Sequence, residues 1–100
     1  MNINCLKNED VITLELEGRI DVVGAGQLEE AINSHKEQTK KMILDFQNIV
    51  YLASAGLRTL NLAQNYFDSV EGRLVLLNVP EIVMEVFEMT GFIDFLEIES

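Results

Sequence analysis

Two short apolar segments, each followed by a helical pattern, limit the fold of this chain most strongly. Met42–Phe46 and Arg73–Leu77 are nearly continuous apolar runs of strand length, typical of parallel strands that helices cover on both faces. After the first run and a turn, apolar residues recur at three- and four-residue intervals, which indicates an amphipathic helix, and the second run is followed by a helix start at Asn78–Pro80. Parallel strands need such a crossover, and it is almost always right-handed. We therefore predict successive βαβ units, with Met42–Phe46 buried on both faces.

The chain opens with the pattern of a β-hairpin. Val11–Glu17 alternates apolar with polar residues, so one face of this strand is predicted to be buried. Ile3–Lys7 is a weaker apolar stretch, and the polar residues Asn8–Asp10 between the two segments suit a turn. The first two strands are therefore predicted to pair in antiparallel orientation.

Three helices are predicted between and after the central strands. The first extends from about Val23 to Glu37, and the second begins at the small-residue turn Ala53–Gly56. The third follows Asn78–Pro80, where asparagine can cap a helix and proline suits the first turn, and it runs to about Met89. Gly91 then supplies the left-handed conformation that often ends a helix.

A last short strand at Phe95–Ile98 completes the order β-β-α-β-α-β-α-β. The predicted fold class is α/β, with one domain over residues 1–100. Its sheet is mixed but mainly parallel, opened by the N-terminal β-hairpin, and three helices pack on it. A chain of 100 residues, 48% of them hydrophobic, can bury a core for one such domain.

Composition excludes several classes of function. The net charge of −10, from 17 acidic and 7 basic residues, repels phosphate backbones, so we expect no direct nucleic-acid partner. The single cysteine, Cys5, cannot form an internal disulfide. The apolar runs are too short to span a bilayer, and the first residues lack a signal-peptide layout. We expect a cytoplasmic protein without membrane insertion, whose acidic surface serves solubility or attracts a basic partner.

The turn Ala53–Gly56 places one hydroxyl, that of Ser54, at the start of a helix. Such a serine can cap the helix, or it can carry a phosphate that the free N–H groups and the positive end of the helix dipole stabilise. Catalysis by this serine would need a base, but the only histidine, His35, lies at a helix end without a partner pattern. No phosphate-binding glycine motif and no zinc-ligand spacing is present either. We predict a non-enzyme without cofactor or metal.

Three parts of the sequence together resemble the STAS domain of anti-sigma factor antagonists. Gly18–Asp21 is similar to the family's glycine, hydrophobic, aspartate signature before the first helix. Leu44–Phe46 followed by Ser54–Leu57 resembles the central strand and phosphorylation loop. Asn78–Pro80 with Met89–Phe92 resembles the third helix and its exit. The resemblance extends over essentially the whole chain.

The resemblance implies a partner switch in which Ser54 is the phosphorylated residue. The unphosphorylated domain would bind an anti-sigma factor that is also a serine kinase, which frees a sigma factor for transcription. Phosphate on Ser54 would end that complex, because a dianion in a packed interface must be desolvated or newly paired, and a serine/threonine phosphatase would reset it. One position departs from the family: Ala53 stands where an aspartate commonly precedes the serine.

The resemblance also marks a partner-binding surface around this loop, with Asp21 nearby. Leu52 and Leu57 are equally suited to the core, and Asp21 to a helix cap. Asp45, at the end of a strand, is explained by hydrogen bonds to nearby loop N–H groups. The predicted contact residues are Asp21, Tyr51, Leu52, Ala53, Ser54, Leu57 and Arg58.

Two other functions remain open from the sequence. One is a STAS module that serves as a scaffold in a signalling or transporter complex and is never phosphorylated. The other is a module that binds a small molecule or nucleotide with the loop at the end of the central strand. A phosphate on Ser54 after incubation with ATP and a kinase separates the first from the partner switch, and calorimetry with nucleotides and lipids tests the second.

Overall fold

The computed structural model describes residues 1–99, which form a five-stranded sheet and three α-helices. Short 3₁₀ turns follow the first and third helices, at Lys36–Gln38 and Phe92–Asp94. The elements in chain order are β1 (Asn2–Asn8), β2 (Val11–Ile20), α1 (Val22–His35), β3 (Lys41–Leu52), α2 (Ser54–Ser69), β4 (Arg73–Leu77), α3 (Glu81–Thr90) and β5 (Glu97–Glu99).

The strands lie in the sheet in the order in which they occur in the chain, β1-β2-β3-β4-β5. β1 pairs with β2 in antiparallel orientation, and the other three pairs are parallel. The predicted α/β fold, opened by a hairpin, is confirmed. Leu14, Leu44 and Leu76 are register partners across the three central strands and are fully buried. They form the middle of the core together with residues of all three helices.

All three helices contribute to this one core, so they cover one face of the sheet. When each parallel strand is added beside the previous one, right-handed crossovers place every helix on the same side. The neighbouring row, Thr13, Ile43 and Val75, faces away from the helices; Val75 is buried, whereas Thr13 and Ile43 are only half-buried. The prediction that Met42–Phe46 is buried on both faces is therefore wrong.

Several element boundaries in the structure also differ from the predicted ones. α1 ends at His35 rather than Glu37, because the chain tightens into a 3₁₀ turn there. β3 continues to Leu52, and register irregularities with β2 at Glu15/Glu17 and Gly18/Arg19 accommodate its extra length. The last strand begins at Glu97, after the second 3₁₀ turn, instead of at Phe95.

The start of α3 differs from the prediction, whereas its end agrees. Asn78 does not cap the helix: its φ is 55°, and its side-chain amide lies 3.4 Å from the Asp45 carboxylate. Pro80 occupies the N-cap position instead. Gly91, with φ of 81°, adopts the predicted left-handed conformation that ends α3. Among residues 1–99, no helix has the length and apolar content needed to cross a membrane.

The two glycines of α1 differ in their surroundings. Gly24 sits where the first turn of α1 passes over the end of β2, and a Cβ there would lie 2.3 Å from the carbonyl oxygen of Arg19. Backbone atoms cannot yield as a flexible side chain does, so this approach requires glycine. Gly26, two residues further on, has no atom within 4 Å of a Cβ position.

Replacing these glycines is expected to change stability in opposite directions. Gly24→Ala should lower the free energy of unfolding by about 1 to 3 kcal/mol, because the added methyl group forces α1 away from β2. Gly26→Ala should raise it by about 0.5 to 1 kcal/mol, because alanine favours an unobstructed helix position. Urea denaturation followed by circular dichroism measures both changes. Equal effects of the two substitutions would contradict the close approach at Gly24.

Candidate functional site

The Ser54 loop lies at the carboxyl edge of the parallel strands β2 and β3. Ile20 and Leu52, the last residues of these strands, are register partners, and the Ala53 N–H donates a hydrogen bond of 2.9 Å to the Ile20 carbonyl. Asp21 and Ser54 therefore leave the sheet side by side, each entering a helix. The carboxyl edge is where open α/β sheets usually bind their ligands.

Ser54 is the first residue of α2 and is exposed to solvent. The N-cap residue is Ala53, whose side chain makes no capping hydrogen bond. The hypothesis that Ser54 caps the helix is therefore wrong. The first N–H groups of a helix have no partner within the helix, and the first turn of α2 contains no acidic residue. An anionic group on Ser54 would meet unpaired N–H donors and the positive end of the helix dipole.

Gly56 brings this helix start close to the sheet. A Cβ at Gly56 would lie 2.4 Å from Leu52 Cδ1 and 2.7 Å from Ile20 Cγ2, the side chains that close the core below the loop. Leu52 is buried there, so the prediction that it belongs to the contact surface is wrong. Leu57 is half-buried and packs against the core, and it leaves only part of its side chain for a partner.

The two aspartates have structural partners. Asp21 is the N-cap residue of α1, where its carboxylate accepts a hydrogen bond of 2.8 Å from the Gly24 N–H. Asp45 accepts a hydrogen bond of 3.0 Å from the Gln47 N–H, as predicted for a carboxylate at this position. Asp21 is half-buried and keeps an exposed side at the site edge, whereas Asp45 lies on the open sheet face.

Two arginines lie close to the loop. Arg19 and Tyr51 are register partners, and the Arg19 guanidinium carbon lies 4.3 Å from the centroid of the Tyr51 ring, a cation–π distance. Arg58 is exposed and follows Ser54 by four residues on α2, which places both on the same side of the helix. The sequence analysis missed Arg19, although it lies within the Gly18–Asp21 motif.

A pair of exposed valines completes the surface. Val22 and Val23 begin α1 directly after Asp21, and 75% and 70% of their surfaces are exposed. Two consecutive valines in the first turn of a helix cannot both face the core, and this was the signal available in the sequence. With the exposed Tyr51, they add apolar area beside Ser54. Exposed apolar groups clustered at one edge of a domain are typical of a protein contact.

One groove on the surface lies away from the Ser54 loop. A groove of about 260 Å³ lies between α1 and α2, where Lys36 Nζ is 4.4 Å from the centroid of the Tyr66 ring. None of the residues that line it belongs to the Ser54 loop. Within residues 1–99, no group of three histidine, cysteine or acidic side chains is placed to hold a metal ion.

The mixed sheet, the helices on one face and the exposed serine at the start of α2 define a small α/β domain that presents one hydroxyl at a helix start. The sequence pattern of the STAS domain matches residues 2–100. The chain belongs to the STAS family.

Curated relatives resemble the chain over its full length. BtrV of Bordetella bronchiseptica is 29% identical over 101 residues, which include all of this chain and 87% of BtrV. The anti-sigma-B factor antagonist of Bacillus subtilis is 27% identical over 100 residues, which include all of this chain and 92% of that protein.

Solved structures share the fold at low sequence identity. An anti-sigma factor antagonist from Mycobacterium paratuberculosis has a TM-score of 0.85 at 19% identity, covering 97% of this chain and 83% of its own. The Bacillus cell fate determinant SpoIIAA in its phosphorylated form has a TM-score of 0.77 at 18% identity, covering 99% of this chain and 92% of its own.

Substitutions at Asp21 test its role as the N-cap of α1. Asp21→Ala should lower the free energy of unfolding by about 0.5 to 2 kcal/mol, because the Gly24 N–H loses its acceptor. Asp21→Asn should change it little, because asparagine caps equally well. Thermal or urea denaturation of the three proteins measures this difference. Equal stability of Asp21→Ala and the unmodified protein would show that the cap contributes nothing.

Proposed function

We propose that this protein is an anti-sigma factor antagonist that acts by partner switching. In its unphosphorylated form it binds an anti-sigma factor with serine kinase activity. Phosphorylation of Ser54 releases that partner, and a serine/threonine phosphatase restores the binding form. The observation that carries the proposal is the exposed hydroxyl of Ser54 at the uncapped first turn of α2 in a STAS domain.

The relatives support this assignment of function. The Bacillus subtilis relative is an anti-sigma-B factor antagonist, and it aligns with the whole of this chain. SpoIIAA, which shares the fold, exists in a phosphorylated form. By analogy, the same regulation would act here on the hydroxyl that stands at the start of α2.

The proposed contact surface combines apolar and cationic groups around Ser54. Val22 and Val23 offer the largest exposed apolar area beside the loop, and Tyr51 offers an aromatic ring with Arg19 stacked on it. Tyrosine and arginine are enriched among residues that dominate binding energy. Arg58 adds a second guanidinium on the α2 side. In an otherwise strongly acidic protein, these two arginines would attract carboxylates of the partner.

Phosphorylation would change this surface in two ways. A phosphate on Ser54 brings a charge of about −1.5 to −2 into the centre of the contact, where an apolar or anionic partner group cannot accommodate it. Arg58 lies four residues further along the helix, so its guanidinium can pair with the phosphate. That pairing withdraws Arg58 from the partner. Ala53, which carries no charge, leaves the phosphate without a neighbouring carboxylate to repel it.

Substitutions of Ser54 test the charge mechanism. Ser54→Asp should weaken binding of the anti-sigma factor by about tenfold or more, equivalent to about 1.4 kcal/mol, because it places a negative charge in the interface. Ser54→Ala should bind like the unmodified protein. Isothermal titration calorimetry with the anti-sigma factor measures both affinities. Ser34→Asp, an equal change of charge on exposed α1, is the matched control and should leave binding unchanged.

Three results of this experiment have distinct meanings. Loss of binding with Ser54→Asp alone supports the switch. Equal affinities for Ser54→Asp and Ser54→Ala contradict the charge mechanism and favour a scaffold that is never phosphorylated. Mass spectrometry after incubation with the kinase and ATP provides an independent check: phosphate should appear on Ser54, and the Ser54→Ala protein should remain unmodified. Phosphate on another residue would contradict the assignment of the site.

A further inference from the structure

The outer surface of α3 carries two parallel rows of side chains. Val83 and Phe87 are buried in the core, Met84 and Val86 are half-buried against it, and the other residues of the helix are exposed. Residues spaced by four and then three positions lie one above the other on a helix. Such a spacing produces an apolar row and, next to it, an acidic row. The apolar row is Ile82, Val86 and Met89, and the acidic row is Glu81, Glu85 and Glu88.

The apolar row is exposed to solvent at both ends. Ile82 is 56% exposed and Met89 is 86% exposed, while Val86 between them is half-buried. Single exposed apolar residues are common on protein surfaces. A row at this spacing differs from single exposed residues, because amphipathic helices use such rows to pack along one another.

The charged residues of α3 itself have a single sign. No lysine or arginine follows Arg73 in the sequence, whereas six acidic residues do. Arg73 is occupied at the edge of the sheet, where its hydrogen bond lowers the pKa of Glu97 and where it also pairs with Glu99. Among residues 1–99, no ion pair involves the acidic row.

The acidic row favours the free helix at one end only: Glu81 in the first turn of α3 complements the helix dipole, whereas Glu88 opposes it. The last turn of α3 contains Glu88 and no basic residue. A negative charge at this end opposes the helix dipole, whose carbonyl end is already negative. Side chains that stabilised α3 by itself would carry the opposite charge here. A lysine or arginine of a partner beside Glu88 would offset this unfavourable charge.

We propose that α3 is a docking site for a basic amphipathic helix of a partner protein. The apolar row would pack against the partner's apolar row, and lysine or arginine beside it would pair with the three glutamates. A second copy of this chain does not fit, because two acidic rows would face one another. α3 starts at the carboxyl edge of β4 and runs back across the sheet. Its Met89 end therefore lies at the edge opposite Ser54, whereas its Glu81 end lies at the same edge of the sheet as Ser54.

A designed peptide tests the chemistry of this surface without knowledge of the natural partner. The probe is a helix of about 21 residues with leucine at heptad positions a and d and lysine at e and g. NMR titration of the isotope-labelled full chain should show shifts concentrated on α3, with affinity that falls as salt rises. Shifts concentrated on the open sheet face or on α1 would overturn the proposal.

Matched variants separate the surface from the overall negative charge. Ile82→Ser with Met89→Ser, and separately Glu85→Lys with Glu88→Lys, should each weaken the peptide complex by about tenfold or more. The control, Glu30→Lys with Glu37→Lys, makes the same change of net charge at exposed positions of α1 and the turn after it. It should weaken binding less than about twofold. An equal loss in the control would mean that net charge alone attracts the peptide, which overturns the proposal.

The stability of the free protein provides a second test. Glu88→Gln should raise the thermal midpoint, because it removes a charge that opposes the helix dipole. A lower midpoint for Glu88→Gln would show that the acidic row stabilises the free domain, and the argument for an external partner would fail. This measurement needs no kinase and no anti-sigma factor. The α3 proposal can therefore fail without contradicting the partner switch at Ser54, and the reverse is also true.

Discussion

The parallel pairing of β2 with β3 is the interaction on which the rest of the structure depends. Its register brings Ile20 beside Leu52, and the hydrogen bond from Ala53 to Ile20 extends that pairing into the loop. Asp21 and Ser54 thereby leave the sheet together, and two helices start at one edge. Glycines at positions 24 and 56 allow both helices to approach this edge closely. A partner can meet α1 and α2 at once only because these strands end side by side.

Much of the fold can be predicted from local sequence patterns. Which faces of the sheet the helices cover, and which residues cap the helices, cannot. Alternation in Val11–Glu17 and the run Arg73–Leu77 predicted the sheet, because strand patterns depend on each segment's own residues. The open face could not be predicted from the run Met42–Phe46, since Ile43 faces away from the helices and is shielded only in part. Whether Ser54 or Ala53 is the N-cap depends on a shift of one residue in the start of α2. Sequence patterns do not locate a helix end to within one residue.

The least stabilised helix ends are found at the proposed contacts. α2 begins without a side-chain cap at Ala53, and Val22 and Val23 begin α1 exposed. α3 ends with Glu88 facing its negative pole. Natural proteins depart from locally favourable choices mainly at functional sites. The three departures are therefore consistent with a small domain that uses one edge for a regulated contact and α3 for another.

We propose that a phosphate on Ser54 separates this protein from its anti-sigma factor. The most direct measurement compares the affinity of that partner for the unmodified protein and for protein fully phosphorylated at Ser54. We expect the phosphorylated form to bind at least about tenfold more weakly. Equal affinity of the two forms would contradict the proposed switch at Ser54.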